Sequence, residues 1–334
     1  MTPRRRRAWL LIAPFSAVLV AAACGSDAGH RGPKAAEPAT APVPSTEPVG
    51  RIAKVGARPE GIVYDARTRL LAVAVRAPDR LLLLDPRTLA PRRSVALPGG
   101  VRHLQLGRPG GPVLVPVESA ARIVQVSLPG GATRSTAVRK QPHDAAEATN
   151  GDVVVGNEFG RSISVIHDGV VVRTFADLRQ PGGVVAAADD VVGVVDVGAF
   201  TLSTYDLDAG RRTGRVAAGA GPTHGVLVGG DRIAVTDTRG DRLLVFSLHP
   251  LRQVGTLALG GAPYGIATDS DTGLVWVTLT ARNEVVGLAV SGDVPRVVAR
   301  YPTVRQPNTV AVAPGSQRLW VTGTAGGVVQ LITR

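Results

Sequence analysis

The chain has one cysteine, Cys24, among 334 residues. An intrachain disulfide is excluded, and so is a metal site built on several thiolates. Lysine is nearly as scarce, with Lys34, Lys54 and Lys140 the three present. Aromatic residues make up 4% of the chain. The formal charge is +12, almost all of it from arginine. A nucleic-acid surface needs a basic stripe interleaved with aromatics, and no such stripe is visible. Dispersed arginine fits a compositional bias toward Arg and Ala; the sharper reading is an attraction for anionic cell-envelope polymers or lipid headgroups. Several catalytic signatures are missing. There is no Gly-x-Ser-x-Gly elbow, no phosphate-binding glycine loop with lysine, and no His-Glu-x-x-His. Asp269-Ser270-Asp271-Thr272-Gly273 begins like a calcium loop, but it falls between two strand patterns and reads as an ordinary turn.

Ala8–Ala23 is an apolar run of 16 residues, short for a membrane-spanning helix. Arg4, Arg5, Arg6 and Arg7 precede it and small residues end it, so residues 1–23 read as an export signal. The stretch Ala21-Ala22-Ala23-Cys24-Gly25 resembles a bacterial lipobox, with alanine at Ala21 where leucine is commoner. The resemblance implies cleavage before Cys24, lipidation of Cys24, and a lipid anchor on the extracytoplasmic face of the cell membrane. Residues 24–50 are rich in proline and alanine and poor in large apolar side chains. They bury too little surface to fold, so a disordered tether is expected there. Beyond the membrane, the expected partner classes are an envelope protein or an anionic envelope polymer, with the chain itself a monomer.

What the sequence has in abundance is repetition. Pro142, Pro181, Pro222, Pro263 and Pro307 recur about every forty residues, and Pro59 lies two such periods before Pro142. Each proline opens a similar cassette. A first short strand follows it, then β-branched runs such as 194–197 and 276–279, then runs such as 81–85 and 243–247. A more polar fourth strand closes each unit, as at 92–97, 212–218 and 252–259. Turn chemistry separates them at Asn150-Gly151, Asp168-Gly169 and Gly229-Gly230-Asp231. Phasing the chain this way gives seven units over residues 51–334. The second lacks its proline and starts near Gly100-Val101, and the last has room for three strands. Residues 51–57 are an orphan outer strand ahead of the first cassette. The pattern predicts an all-β, seven-bladed β-propeller of four-stranded antiparallel blades, closed by residues 51–57 joining the C-terminal blade.

Ala262-Pro263-Tyr264-Gly265-Ile266-Ala267, followed by Trp276-Val277-Thr278-Leu279 and Asn283-Glu284-Val285, resembles the YVTN-type β-propeller repeat. Gln306-Pro307-Asn308-Thr309 with Leu319-Trp320-Val321-Thr322 does the same. The likeness implies blades around a central channel. It does not imply one activity.

In such a fold the segments opening the inner strands share one face with the loops between second and third strands. The opening positions include Glu60, Arg102, His103, His143, Asp144, Thr223, His224, Tyr264 and Asn308. The loop set includes Glu118, Asn157, Glu158, Asp196, Asp237 and Asn283. The ligand-binding expectation rests on Glu60, Arg102, His103, His143, Asp144, His224, Tyr264 and Asn308. A divalent metal, if one is bound, would draw on His103, His143, Asp144 and His224, with Glu60. Pro59-Glu60-Gly61 and Asn308 resemble ligand positions of gluconolactonase-like propeller hydrolases, although those have six blades. The Pro-x-Gly cassettes also resemble propeller lyases that open streptogramin antibiotics, but no catalytic set can be mapped. The reading favours a binding scaffold acting through its axial face. A metal-dependent lactonase-like hydrolase, or a lyase, is the alternative.

Overall fold

The computed structural model describes Met1, residues 34–290 and residues 294–334. The expected export signal after Met1 and the expected lipidation site, Cys24, lie outside the described residues. The chain divides at Lys34, and the architecture below concerns Ala35–Arg334. Among the described residues, 28 strands form seven four-stranded antiparallel sheets. No helix among them is long and apolar enough to cross a membrane.

The strands form where the repeat placed them. Pro142–Glu147, Pro181–Ala186, Pro222–Val228, Pro263–Thr268 and Pro307–Val312 are innermost strands, and the recurrent proline is the first residue of each. Proline is tolerated there because a strand's first residue need not donate to the ladder. Second strands such as Val113–Val117 and Val191–Asp196 are buried throughout. Fourth strands such as Pro91–Ala96 and Arg211–Ala217 are mostly exposed, which accounts for their arginines. Apolar cores lie between blades. Leu81 and Leu83 of the first blade pack with Val113, Val115 and Val124 of the second.

The seventh sheet is the closure. Its order from outside inward is Arg51–Lys54, Val328–Thr333, Arg318–Gly323 and Pro307–Val312. Arg51 pairs with Leu331 and Lys54 with Val328. The orphan strand of the sequence is thus the outer strand of the last blade. Ala57 forms an isolated bridge to Arg76, which carries the chain on into the first blade. The same seam holds two of the chain's few aromatics. Trp320 is fully buried, stacks on Tyr64 at 4.7 Å, and donates its indole N–H to the Pro86 carbonyl at 2.8 Å.

The composition predicts an unfolded tether over 24–50, and the structure differs from Ala35 onward. Residues 35–50 carry no strand or helix, yet Ala41 is 1% exposed. The physical reason is that the segment builds no core of its own. It borrows hydrogen-bond partners from a surface the blades have already formed.

Replacing Ile52 and Ala53 together by proline tests the closure. Alternate N–H groups of a strand face its neighbour, so one of two consecutive prolines removes a ladder bond. Urea unfolding is expected to show a loss on the order of 2 kcal/mol. An unchanged midpoint would mean that the outer pairing contributes nothing to stability.

Candidate functional site

Each proline that opens an inner strand is followed by a slip in register. The pairing jumps between Pro142 and Asp144, between Pro222 and Gly225, between Pro263 and Ile266, and between Pro307 and Val310. Such bulges bend a strand and re-aim its side chains. His143, His224, Tyr264 and Asn308 fall within these slips, at the axial end of their blades. The cassette glycines have a steric cause. A Cβ at Gly265 would lie 2.4 Å from the Asn308 carbonyl oxygen, because inner strands crowd together near the axis. In the second blade, where the proline is missing, the inner strand is only Gln105–Leu106, and Arg102 and His103 sit in the loop before it.

Three histidines meet at this end of the channel. The ring of His103 lies 4.9 Å from that of His143 and 4.0 Å from that of His224. The potential ligand atoms of the three lie within 4.8 Å of one another. Tyr264 is buried edge-on against His224, with ring centroids 4.6 Å apart. Two of the imidazoles are oriented from behind. His143 Nδ1 is 3.0 Å from Glu118 Oε1, and His224 Nδ1 is 3.1 Å from the Tyr264 carbonyl oxygen. A carbonyl only accepts, so His224 carries its proton on Nδ1 and leaves Nε2 with a lone pair. Burial, reinforced by His224, His143 and Arg102 nearby, holds His103 well below the usual histidine range. Burial, reinforced by His143 and Arg102 nearby and only partly opposed by the hydrogen bond to the Tyr264 carbonyl, holds His224 at about 3. Both rings are therefore neutral at physiological pH.

A charged network surrounds the rings. Arg102 Nε donates to Glu118 at 2.7 Å, and its Nη2 donates to Glu158 at 3.1 Å. Gln180 Nε2 donates to the other Glu158 oxygen at 2.8 Å. Burial opposes ionisation of Glu118, but the His143 hydrogen bond and the Arg102 charge outweigh it and hold the carboxyl at about 2. Glu60 is a neighbour rather than a member of this cluster. It pairs with Arg76 at 2.9 Å, and burial raises its carboxyl despite that partner.

Asp144 separates from the histidines it was grouped with. Its carboxylate accepts from the Val184 and Ala145 backbone N–H groups, each at 2.9 Å, and from Gln105 Nε2 at 3.1 Å. Burial pushes it up to about 6 against these hydrogen bonds. It lines the central channel, a cavity of about 390 Å³ whose wall also includes His103 and His224. Asn308 is buried and accepts from Gln306 Nε2 at 3.0 Å. Asp196 and Asp237, in the loop set, are loop anchors. Each is fully buried and accepts backbone N–H groups, Gln180 and Ala199 for Asp196, and Ala220 and Gly221 for Asp237.

Residues 35–43 lie over this cluster as a strap. Ala35, Ala36 and Glu37 border a small space shared with Arg102, His143 and His224. Glu37 reaches Arg102 at 3.4 Å. Further along, contacts run through the main chain. Gln306 Nε2 donates to the Ala39 carbonyl at 2.8 Å, and Ala41 N–H donates to Gln306 Oε1 at 2.9 Å. Arg305 Nε donates to the Ala41 carbonyl at 3.1 Å, and Asn283 Nδ2 to the Pro42 carbonyl at 3.0 Å. Sequence reasoning missed the strap and the glutamines at 105, 180 and 306. Gln180 and Gln306 immediately precede recurrent prolines, and that placement was the available signal.

Arg102 pairs with Glu118, Glu158 and Glu37, and the Glu158 side chain is only 5% exposed. Removing a buried charge's partner costs more than the pair is worth. Arg102→Met is expected to lower unfolding stability by about 3 kcal/mol, and adding Glu158→Gln should recover part of the loss in urea titrations. Equal stability of Arg102→Met and the parent would show that the network buries no uncompensated charge.

No protein-family model matches this sequence, and no curated protein matches it. Solved structures do resemble it in shape. Hydrazine synthase of Kuenenia stuttgartiensis aligns with TM-score 0.71 at 17% identity, over 83% of this chain and 96% of that one. Virginiamycin B lyase of Staphylococcus aureus aligns with TM-score 0.71 at 14% identity, over 85% and 99%. A chain of a mitotic checkpoint complex aligns with TM-score 0.73 at 11% identity, over 99% of each. At these identities the likeness is one of fold: the chain is a seven-bladed β-propeller similar to enzymes and to binding scaffolds alike.

Proposed function

We propose that the protein is a YVTN-type propeller, lipid-anchored through Cys24 on the extracytoplasmic face of the membrane, that binds a ligand or protein partner through its axial face. One observation carries the reading. Arg102, Glu118, Glu158, His143 and His224, drawn from several blades, are gathered into one connected, largely buried cluster at the channel mouth. Burying such groups opposes stability unless they are fully paired, so a propeller of valine and leucine has no structural need of them. The strap supports the same reading. The Gln306, Arg305 and Asn283 side chains hold an extended proline-containing segment by its main chain, which is how a surface takes a peptide.

A catalytic reading has a specific observation in its favour. The neutral imidazoles of His103 and His224 and the carboxyl of Asp144 border a channel able to admit a small molecule. Binding is preferred because the strap covers the cluster and Arg102 engages both glutamates.

Photo-crosslinking in native envelopes tests the binding function. A crosslinking residue at position 159, exposed next to Glu158, should capture a defined partner, one at Val171 on the exposed fourth strand Val170–Phe175 should not, and Arg102→Met should weaken the capture. Equal labelling from both positions would remove the axial face as the site. The anchor has its own test. Cys24→Ser should move the protein from the membrane fraction to the soluble one, and continued membrane fractionation would contradict lipidation.

A further inference from the structure

The three imidazoles are arranged as metal ligands are. Metal-binding histidines characteristically donate one ring N–H to a carboxylate or backbone carbonyl, which fixes the tautomer and aims the other nitrogen. His143 does this toward Glu118 and His224 toward the Tyr264 carbonyl. His103, the third, makes no hydrogen bond to any described side chain or backbone group, although it lies against both other rings. One nitrogen of each ring lies within 4.8 Å of the others. The hydrogen bonds of His143 and His224 run through Nδ1, which leaves Nε2 of each for a ligand.

We propose that His103, His143 and His224 bind a divalent transition-metal ion, zinc above all, with its remaining coordination position open to the central channel. The alternative grouping of Glu118, His143 and Glu158 is ruled out by Arg102, whose guanidinium already occupies both carboxylates. The same charges favour an ion at the histidines. Among the described residues Glu118, Glu158 and Glu37 all pair with Arg102, so carboxylates outnumber guanidiniums in these pairs and a divalent cation beside them is favoured. Ligand chemistry selects the class. Imidazole nitrogens suit zinc, copper and nickel, whereas calcium and magnesium require several free oxygens. Three histidines with one open position match exchangeable or catalytic zinc sites rather than closed structural ones. The nearby channel would admit water or a small anion to the fourth position. Access from the other side is limited by the strap.

This inference rests on the axial face being a ligand site, and its test is independent of any partner. Purified full-length protein, stripped with chelator, is titrated with Zn²⁺ by calorimetry, and bound metal is measured after dialysis. Stoichiometric retention is expected in the parent, in His167→Ala and in His249→Ala, and loss in His103→Ala and His224→Ala. Glu118→Gln, which keeps all three ligands, should weaken binding by about tenfold. Because an alanine variant can misfold, Cu²⁺ loaded into the unaltered protein gives a second readout. Its paramagnetic resonance spectrum should show hyperfine coupling to several imidazole nitrogens. Absence of retained zinc in the parent, retention unchanged in both histidine variants, or a copper spectrum without nitrogen coupling would each overturn the proposal. Crosslinking of a partner by metal-free protein at position 159 would survive that failure, so the binding function and the metal are separable.

Discussion

The axial face exists because the ring is closed, and the ring is closed by the pairing of Arg51–Lys54 with Val328–Thr333. Inner strands can converge on one axis only if no blade is free to splay. The seam is reinforced by Trp320, whose stacking on Tyr64 and hydrogen bond to the Pro86 carbonyl tie the last blade to the first. Glu60 and Thr309 meet across that seam, the Thr309 hydroxyl donating to the Glu60 carbonyl. The strap leads directly into the closing strand, with Gln330 Nε2 donating to the Val49 carbonyl at 2.7 Å. The segment that seals the ring and the segment that covers the site are therefore one continuous stretch of chain.

Around that frame, the molecule uses two kinds of burial. Between blades it buries branched aliphatic side chains, which pack without any polar obligation. At the channel mouth it buries ionisable groups, and each obligation has to be met individually. Arg102 meets those of Glu118 and Glu158, and Gln180 completes Glu158. Asp144 is met by backbone N–H groups and Gln105. The carboxylates are thus already engaged, whereas Nε2 of His143 and of His224 is left for a ligand, which is why the metal is proposed at the histidines.

Much of this was legible in the sequence because a propeller writes its architecture locally. The recurrent proline falls at the first residue of five inner strands, and the polar fourth strands fall within one residue of their expected bounds. Phasing on the prolines also brought His103, His143 and His224 together. It could not separate His143 from Asp144, adjacent in sequence but sent apart by the register slip between Pro142 and Asp144. Nor could it separate Glu60, in a different pairing with Arg76, or see that Asp196 and Asp237 serve their own loops. The strap was illegible for a physical reason. Its composition says that it cannot fold alone, which is compatible with its docking on a surface that other residues provide.

The central claim is that this propeller concentrates its chemistry at three histidines under a strap. Anomalous diffraction at the zinc absorption edge, from crystals grown with zinc, tests it most directly. The account predicts an anomalous peak among His103, His143 and His224, with residues 35–43 ordered above it. A peak confined to the surface pair of exposed His167 with Asp152, or no peak at the axial histidines, would contradict it.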